Sequence, residues 1–337
     1  MQDLRGKIIL VTGADGFIGS HLCEQLLTAG AQVRALVQYN ASNHWGWLDT
    51  LSSDQLSNIK VFLGDVRDRD SLRSAVQGCQ WIFHLAALIA IPYSYHAPES
   101  YIDVNLKGTL NILQLAHEYH CEKVIHTSTS EVYGSAQSIP IAETHALNAQ
   151  SPYAASKIGA DQMALAFVRS FALPVAIVRP FNTYGPRQSA RAIIPTVITQ
   201  ILSGNKIIKL GALTPTRDFN YIQDTINGFL AVALSDLCIG TVINIGSGFE
   251  ISIQDLVHLI AKLCDTSIEV VTDQQRLRPD TSEVKRLCAD IQKADQLAHW
   301  KPAATGLNGL QQGLQRTIEW FSIPQNRHRY KEDLYHI

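Results

Sequence analysis

The sequence predicts an α/β fold: a Rossmann-type, doubly wound parallel sheet with a smaller C-terminal α/β substrate lobe. Two observations predict it. Short apolar runs alternate with stretches of helical composition along the first half of the chain, and the first run ends in a turn with three glycines. Runs without polar alternation are typical of strands buried on both faces of a parallel sheet, and repeated strand–helix units build such sheets with right-handed crossovers.

The predicted elements follow one another along the chain. Strands are expected at residues 8–11, 33–37, 59–66, 81–87, 123–129 and 175–181. Helices are expected near 70–77, 101–119 and 152–172. After Pro186 the pattern loosens, until the run "TVINIGSG" is expected to return to the main sheet. We therefore expect a dinucleotide-binding domain of residues 1–181 plus about 223–247, a substrate lobe of about 182–222 plus 248–325, and a polar tail of 326–337.

The bulk properties exclude several classes of protein. A net charge of -2 over 337 residues provides no basic field for nucleic acid. The longest apolar run, "WIFHLAALIAI", is too short to cross a bilayer, and the first ten residues lack the layout of a signal peptide. The cysteines are scattered without a C-x-x-C pair, as is typical of reduced, buried thiols. We expect a cytoplasmic protein that binds neither nucleic acid nor membrane.

The glycine turn after the first predicted strand indicates a dinucleotide site. Gly13, Gly16 and Gly19 stand between that strand and a predicted helix. Glycines there permit a tight turn and let backbone amides reach a pyrophosphate at the helix N-terminus. The turn residues Asp15, Phe17 and Ile18 belong to the same expected contact surface.

The end of the second predicted strand leaves the type of dinucleotide open. Many such sites have an acidic residue there for the adenosine ribose, but the segment "VQYN" at 37–40 contains none. It contains no arginine for a 2′-phosphate either, and we expect NAD. Asp65 in "GDV" is expected to meet the adenine edge, with the N-cap of the following helix as the alternative.

Tyr153 and Lys157 are candidate acid–base residues. They are four residues apart in "SPYAASK" and so share one face of the predicted helix. A nearby ammonium favours the phenolate form of a tyrosine, and a lysine can also hydrogen-bond the ribose of a nicotinamide. Such pairs also occur on ordinary helix surfaces, but a position downstream of a phosphate turn favours a catalytic role.

Several segments together resemble the extended short-chain dehydrogenase/reductase family. They are "TGADGFIG", "HLAA", "STSEVYG", "SPYAASK", "RPFNTYGPRQ" and "TRDFNYIQD", in order from residue 12 to 224, and later "CADIQKADQLAHWKP". The resemblance implies a Rossmann-type domain, a C-terminal lobe that binds a nucleoside-diphosphate sugar, and a homodimer formed through the helices near 101–119 and 152–172. It also implies cofactor contacts at Val66, Leu85, Ala86 and Ala87.

The presence of Glu131 distinguishes between two reactions that members of this family perform. The C4 epimerases and the 4,6-dehydratases both use the tyrosine, here Tyr153, to take the C4 hydroxyl proton while the C4 hydride moves to NAD. A dehydratase also needs a base for the C5 proton, so that the C6 hydroxyl can leave as water. The resemblance implies that Glu131 is this base and that Thr129 hydrogen-bonds the C4 oxygen. A solvated loop carboxylate is the alternative for Glu131.

The residue before Glu131 indicates which group of dehydratases the chain resembles. The dTDP-glucose dehydratases have an aspartate there as the acid for the departing hydroxyl, whereas this chain has Ser130, as in the GDP-mannose dehydratases. Because a serine hydroxyl is a poor proton donor, Glu131 or a water must protonate the C6 oxygen, and Ser130 is expected only to contact the sugar. Segments 38–51 and 86–101 resemble legionaminic-acid-type 4,6-dehydratases, which act on UDP- or GDP-N-acetylglucosamine. A 4-epimerase and a non-catalytic NAD-binding protein are the alternatives.

The substrate diphosphate requires cationic and amide donors. Arginine suits it because its planar group can donate two parallel hydrogen bonds. The candidates are Asn182, Arg187, Arg217 and Arg278, with Tyr93 as a candidate for the sugar pocket. The resemblance favours the first, third and fourth of these.

One histidine-rich segment raises the question of a metal. In "HEYHC", residues 117–121, two histidines and a cysteine fall on a predicted helix. No second ligand cluster follows at a suitable spacing, and the proposed chemistry needs no metal, so we expect none.

Overall fold

Seven parallel strands form the central sheet of the computed structural model, which describes residues 4–330. From edge to edge they are β10 (Val242–Ile245), β6 (Val175–Pro180), β5 (Lys123–Thr127), β4 (Trp81–His84), β1 (Ile8–Thr12), β2 (Gln32–Gln38) and β3 (Ile59–Gly64). The strand order changes direction between β1 and β4, which makes the sheet doubly wound. The predicted α/β fold class is confirmed.

Two smaller sheets lie outside the central one. The first consists of β7 (Asn182–Tyr184), β9 (Thr216–Tyr221) and β11 (Glu250–Ser252), and the second of β8 (Ile207–Leu210) and β12 (Glu269–Thr272). The chain leaves the central sheet after β6, returns to it for β10 and then leaves it again. The smaller lobe is therefore built from two separate stretches of sequence.

The helices cover both faces of the central sheet and part of the lobe. In chain order they are α1 (Phe17–Thr28), α2 (Ser53–Ser57), α3 (Arg69–Val76), α4 (Ile91–His96), α5 (Pro98–Tyr101), α6 (Gly108–Glu118), α7 (Pro152–Phe171), α8 (Ile193–Leu202), α9 (Ile222–Leu234), α10 (Ile253–Leu263), α11 (Gln292–Ala298), α12 (Gly306–Ser322) and α13 (Pro324–Arg327). A π-helix, Ile102–Lys107, joins α5 to α6. Over residues 4–330, none of the helices combines the length and apolar character that a membrane span requires.

Neighbouring residues of β1 belong to two different cores. Ile9 and Val11 pack with the side chains of α1 and α9 on one face of the sheet. Leu10 packs with those of α3, α6 and α7 on the other face. Because both faces are covered by helices, a polar residue has no solvated side to occupy, which explains the uninterrupted apolar run in the sequence.

The parallel arrangement brings the functional segments to one edge of the sheet. Strands β1, β4, β5 and β6 all end there, and their carboxyl ends are followed by the glycine turn, "HLAA", "STSEVYG" and "FNTYGP" respectively. In open α/β sheets this edge, at the point where the strand order changes direction, is where ligands bind.

The contact between α12 and β7 in the lobe provides a test of the packing. A Cβ added at Gly313 would lie 2.0 Å from the hydroxyl oxygen of Tyr184, whose side chain is fully buried. We expect Gly313→Ala to destabilise the protein by about 1–3 kcal/mol, measured by denaturant unfolding, because one of the two elements must move. Gly159→Ala in α7 is the matched control, since its Cβ would meet Leu106 at an ordinary 3.4 Å. An equal loss of stability in both variants would contradict the packing described.

Candidate active site

The glycine turn leaves an open cradle at the start of α1. Gly13 has a φ of +67°, and a Cβ there would lie 2.9 Å from the backbone nitrogen of Ala86. A Cβ at Gly19 would lie 2.1 Å from the Gly13 carbonyl oxygen, so both positions require glycine. At Gly16 a Cβ would meet only that same oxygen, at 3.3 Å. Helix α1 has no side-chain cap and no acidic residue in its first turn, which leaves its amides for an anion.

The segment that follows β4 is fixed beside this turn by Thr12. The Thr12 hydroxyl oxygen accepts hydrogen bonds from the backbone nitrogens of Leu85 and Ala86, both at 3.1 Å. The same hydroxyl lies 2.8 Å from Nδ1 of His84. Leu85 and Ala86 therefore lie against the glycine turn, and the cofactor contacts expected for these two residues and for Ala87 stay predictions.

Asp65 and Val66 follow β3, farther from the sheet centre. The Asp65 carboxylate accepts hydrogen bonds from the backbone and the guanidinium of Arg67. Asp68, not Asp65, caps α3, because its carboxylate accepts from the backbone nitrogen of Asp70. The helix-cap alternative for Asp65 is wrong, and the adenine contact stays a prediction. Val66 is buried.

The loop after β2 is hydrogen-bonded to the phosphate turn, and the C-terminal segment packs over this loop. The backbone nitrogen of Trp47 donates to the carbonyl of Asp15 at 3.0 Å. The Trp47 ring packs against Trp320 and Tyr330, with centroids 5.7 and 5.9 Å away. Arg329 lies over the same ring at 5.4 Å. We call Trp47, Trp320, Arg329 and Tyr330 the aromatic clasp; the rest of the predicted tail, 331–337, falls outside the described residues.

The four predicted catalytic residues come together at the carboxyl end of β5. Thr129 caps a 3₁₀-helix, Ser130–Tyr133, by accepting a hydrogen bond from the backbone nitrogen of Glu131. Tyr153 lies in the first turn of α7 and its hydroxyl interacts with the Thr129 side chain. Lys157, one turn later, donates from Nζ to the carbonyl of Thr127 at 2.5 Å. The half-buried Glu131 carboxylate is near enough to shift the pKa of Tyr153 and of Arg217.

Burial dominates the ionisation of the Tyr153 and Lys157 pair. It raises the pKa of Tyr153, which the Thr129 hydrogen bond lowers in part and the Glu131 charge raises further. It lowers the pKa of Lys157 to about 8. Both groups are pushed towards their neutral forms by the loss of solvent, and the expectation that Lys157 favours the phenolate of Tyr153 stays a prediction.

Below these residues lies a buried polar network that the sequence analysis does not predict. Asp161, on α7, accepts hydrogen bonds from the Ser128 hydroxyl at 2.7 Å and from Nε and Nη2 of Arg179 at 3.1 and 2.8 Å. Nε2 of His126 lies 3.3 Å from the other carboxylate oxygen, too poorly aligned for a hydrogen bond. The available signals were the histidines within apolar strands and an aspartate four residues after Lys157.

The predicted substrate-binding residues fall into two places. Arg217 is buried and donates to Glu283 at 2.9 Å, while Nη1 of Arg278 lies 3.8 Å from the same carboxylate oxygen and makes no hydrogen bond. The buried Oδ1 of Asn182 also lacks a partner. Arg187 instead pairs with Glu24 of α1 at 2.6 Å, on the cofactor side.

The aromatic residues of α4 and α5 lead towards Tyr153. The partly exposed ring of Tyr93 lies 6.2 Å from that of Tyr101, which in turn lies 6.2 Å from that of Tyr153. A sugar pocket lined by Tyr93 stays a prediction. The neighbouring Ser94 is buried and its hydroxyl donates to the carbonyl of Ile91.

The histidine-rich segment does not form a metal site. The His117 ring packs on Phe171 at 5.4 Å, and Cys121 is buried. Within residues 4–330 no group of three or more His, Cys, Asp or Glu side chains is arranged to hold a metal ion. The six cysteines are free and, apart from the half-buried Cys264, buried.

A phosphate cradle at the switch point of a doubly wound sheet, with a buried Tyr and Lys pair beside it, defines a Rossmann-type nucleotide-binding enzyme fold. The chain belongs to the GDP-mannose 4,6-dehydratase family, whose model matches residues 10–313. Members of this wider group act as dehydratases, epimerases and decarboxylases on nucleotide sugars.

Individual relatives span these activities. The UDP-N-acetyl-alpha-D-glucosaminuronate decarboxylase of Bacillus cytotoxicus is 32% identical over 331 residues, which cover 95% of this chain and 99% of the relative. DesIV, a dTDP-glucose 4,6-dehydratase from Streptomyces venezuelae solved as a double mutant with NAD and DAU bound, has a TM-score of 0.85 at 29% identity, covering 96% of this chain and 98% of that chain. A mutant UDP-glucuronic acid 4-epimerase from Bacillus cereus, solved with NAD, has a TM-score of 0.84 at 29% identity, covering 96% and 100%.

The aromatic clasp provides a test of how the cofactor is retained. We expect Trp47→Ala to raise the NADH dissociation constant roughly tenfold, because edge-to-face and tilted ring contacts and a cation–π contact hold the loop on the phosphate turn. Fluorescence titration with NADH measures it. Trp320→Ala, which removes only the covering ring, is expected to act in the same direction. If Trp320→Ala leaves NADH affinity at the wild-type value, the C-terminal segment does not support the site.

Proposed function

We propose that this protein is an NAD-dependent nucleotide-sugar 4,6-dehydratase that converts a nucleoside-diphospho-hexose to its 4-keto-6-deoxy product. The observation that carries the proposal is the position of Glu131 in the 3₁₀-helix that Thr129 caps, where its charge raises the pKa of Tyr153. An epimerase needs no second base beside its tyrosine, whereas a dehydratase needs one for the C5 proton. Family membership supports the same reaction class.

The residues of the glycine turn fit NAD. Gly13, Gly16 and Gly19 leave room for a pyrophosphate against the uncapped amides of α1. Lys157 would reach the nicotinamide ribose, since its ammonium has two protons beyond the one given to Thr127. NAD, when bound, supplies the hydride acceptor and donor that make the reaction redox-neutral overall.

The first half-reaction is oxidation at C4. Tyr153 takes the C4 hydroxyl proton, with the Thr129 hydroxyl hydrogen-bonded to the same oxygen. Because burial raises the pKa of Tyr153, positive charge near its hydroxyl is needed to produce the phenolate. A protonated Lys157 provides part of that charge.

The second half-reaction is elimination of water across C5 and C6. Glu131 removes the C5 proton, which the 4-keto group has acidified, and the C6 oxygen leaves as water. Two protons leave the sugar, from the C4 hydroxyl and from C5, and two return, to the C6 oxygen and to C5. The balance therefore closes without the separate aspartic acid that Ser130 replaces, provided that Glu131 or a water delivers its proton to the C6 oxygen.

The lobe of about 182–222 plus 248–325 is proposed to bind the nucleotide sugar. Arg217 and Arg278, whose Nη1 makes no hydrogen bond, are the guanidinium groups proposed for the diphosphate, and the unpartnered Oδ1 of Asn182 can accept from a sugar hydroxyl. Arg187 would first have to leave Glu24. The resemblance of segments 38–51 and 86–101 favours N-acetylglucosamine linked to UDP or GDP.

Two further proposals concern the setting of the enzyme. A homodimer through the stretch 98–118 and α7 is supported by the exposed side chains of Ile102 and Phe171 on those elements. A cytoplasmic location stays a prediction.

We expect incubation with UDP- or GDP-N-acetylglucosamine to give a product lighter by one water, detected by mass spectrometry. Glu131→Gln should lower the rate of water loss by about 10²–10⁴-fold, because it removes the base, while C4 oxidation persists as transient NADH absorbance. Tyr153→Phe is the control and should lose both signals. An isomer of unchanged mass would identify a 4-epimerase instead, and full turnover of Glu131→Gln would exclude its role as the base.

A further inference from the structure

The four proposed catalytic residues come from two different elements whose relative position must be fixed. Tyr153 and Lys157 lie on α7, whereas Thr129 and Glu131 lie on the loop after β5. Proton transfer requires heavy atoms within hydrogen-bonding reach, so a slip between these elements would separate the acid–base groups. A feature that connects α7 to both ends of this loop is therefore important for activity.

Asp161 makes this connection at one end of the loop. It lies one helical turn after Lys157, so both side chains project from the same side of α7. Its carboxylate is fully buried and accepts a 2.7 Å hydrogen bond from the hydroxyl of Ser128, the residue before Thr129. The start of the loop is thereby attached directly to the helix that carries Tyr153.

Arg179 extends the connection to the other end of the loop. Its guanidinium donates two hydrogen bonds to Asp161 and a third, from Nη1 at 3.0 Å, to the hydroxyl of Tyr133. Tyr133 closes the 3₁₀-helix that carries Glu131 and donates onward to Asn244 of β10 at 2.7 Å. Glu131 thus lies between two residues that Asp161 holds, one directly and one through Arg179.

Besides Asp161, two buried histidines face Lys157. They are His84 of β4 and His126 of β5, and burial lowers the pKa of both imidazoles. The Thr109 hydroxyl donates to the carbonyl of Asn105 and therefore accepts from Nε2 of His84. With its pKa lowered, the His84 ring is neutral, so its Nδ1 accepts from the Thr12 hydroxyl.

Asp161 is then the carboxylate that offsets two buried cations, Lys157 and Arg179. Its charge raises the pKa of Lys157 against the larger effect of burial. It also raises the pKa of Tyr153, as do Glu131 and Tyr101. Asp103, on the π-helix packed against α7, acts instead on Arg67.

We infer that Asp161 is a positioning residue: through Ser128 and Arg179 it aligns Tyr153 and Lys157 with Thr129 and Glu131, and it supplies the counter-charge for Lys157. The inference rests on the proposed function for its catalytic consequence. The connection between α7 and the β5 loop, and the charge beside Lys157, are properties of the chain itself.

The charge is tested with Asp161→Asn, which retains the shape of the side chain. Loss of a negative charge lowers the pKa of Lys157 and of Tyr153, so both limbs of the kcat/KM profile should move to lower pH by about 1–2 units. NADH binding, measured by fluorescence without any sugar, should weaken as the pH rises and Lys157 loses its proton. In Asp161→Asn this loss of affinity should occur at a lower pH than in the wild type. A merely structural role would lower activity without moving either profile, and unmoved profiles would overturn the inference.

The alignment is tested with Ser128→Ala, which removes one hydrogen bond to Asp161 and leaves the buried charges in place. We expect kcat to fall roughly tenfold, with KM and the pH profile unchanged. If circular dichroism shows that Asp161→Asn does not fold, Ser128→Ala still tests the inference. A wild-type kcat in Ser128→Ala would overturn it. If the wild type removes no water from any sugar nucleotide, the proposed function fails, and the shift in NADH binding still tests Asp161.

Discussion

Burial of charged and titratable groups at the carboxyl edge of a parallel sheet is the constraint on which the site depends. Parallel strands need helices on both faces, so α7 must pack against the sheet and carries Tyr153 and Lys157 out of solvent with it. Burial penalises the charged form of each group. The Asp161 carboxylate and the Arg179 guanidinium offset one another below the site, because a buried charge without a partner is costly.

The same constraint explains why the proposed site draws on residues both within and outside the central sheet. The cofactor cradle needs only glycines and helix amides, which the first strand–turn–helix unit supplies. In the proposed function, a doubly charged diphosphate needs cations, and the arginines proposed for it, Arg217 and Arg278, both lie beside Glu283.

Much of the fold could be predicted from the sequence, because strand burial and the glycine turn are encoded by neighbouring residues, and the residues predicted for catalysis lie together in the structure. Contacts between distant segments could not. The edge-to-face contact of Trp47 with Trp320 joins residues far apart in the chain, and the proposed role of Asp161 depends on Arg179, which comes from β6. The effect of burial on Tyr153 and Lys157 could not be predicted for a related reason: sequence spacing indicates that a lysine is near but not how strongly both groups are desolvated.

In the proposed dehydratase reaction, hydride removed from C4 is returned to C6 after water has left, with Glu131 as the base in between. The most direct measurement uses UDP- or GDP-N-acetylglucosamine carrying deuterium at C4, with the product analysed by NMR. We expect the deuterium at C6 of a 4-keto-6-deoxy sugar. Deuterium retained at C4 of an isomerised sugar would contradict it.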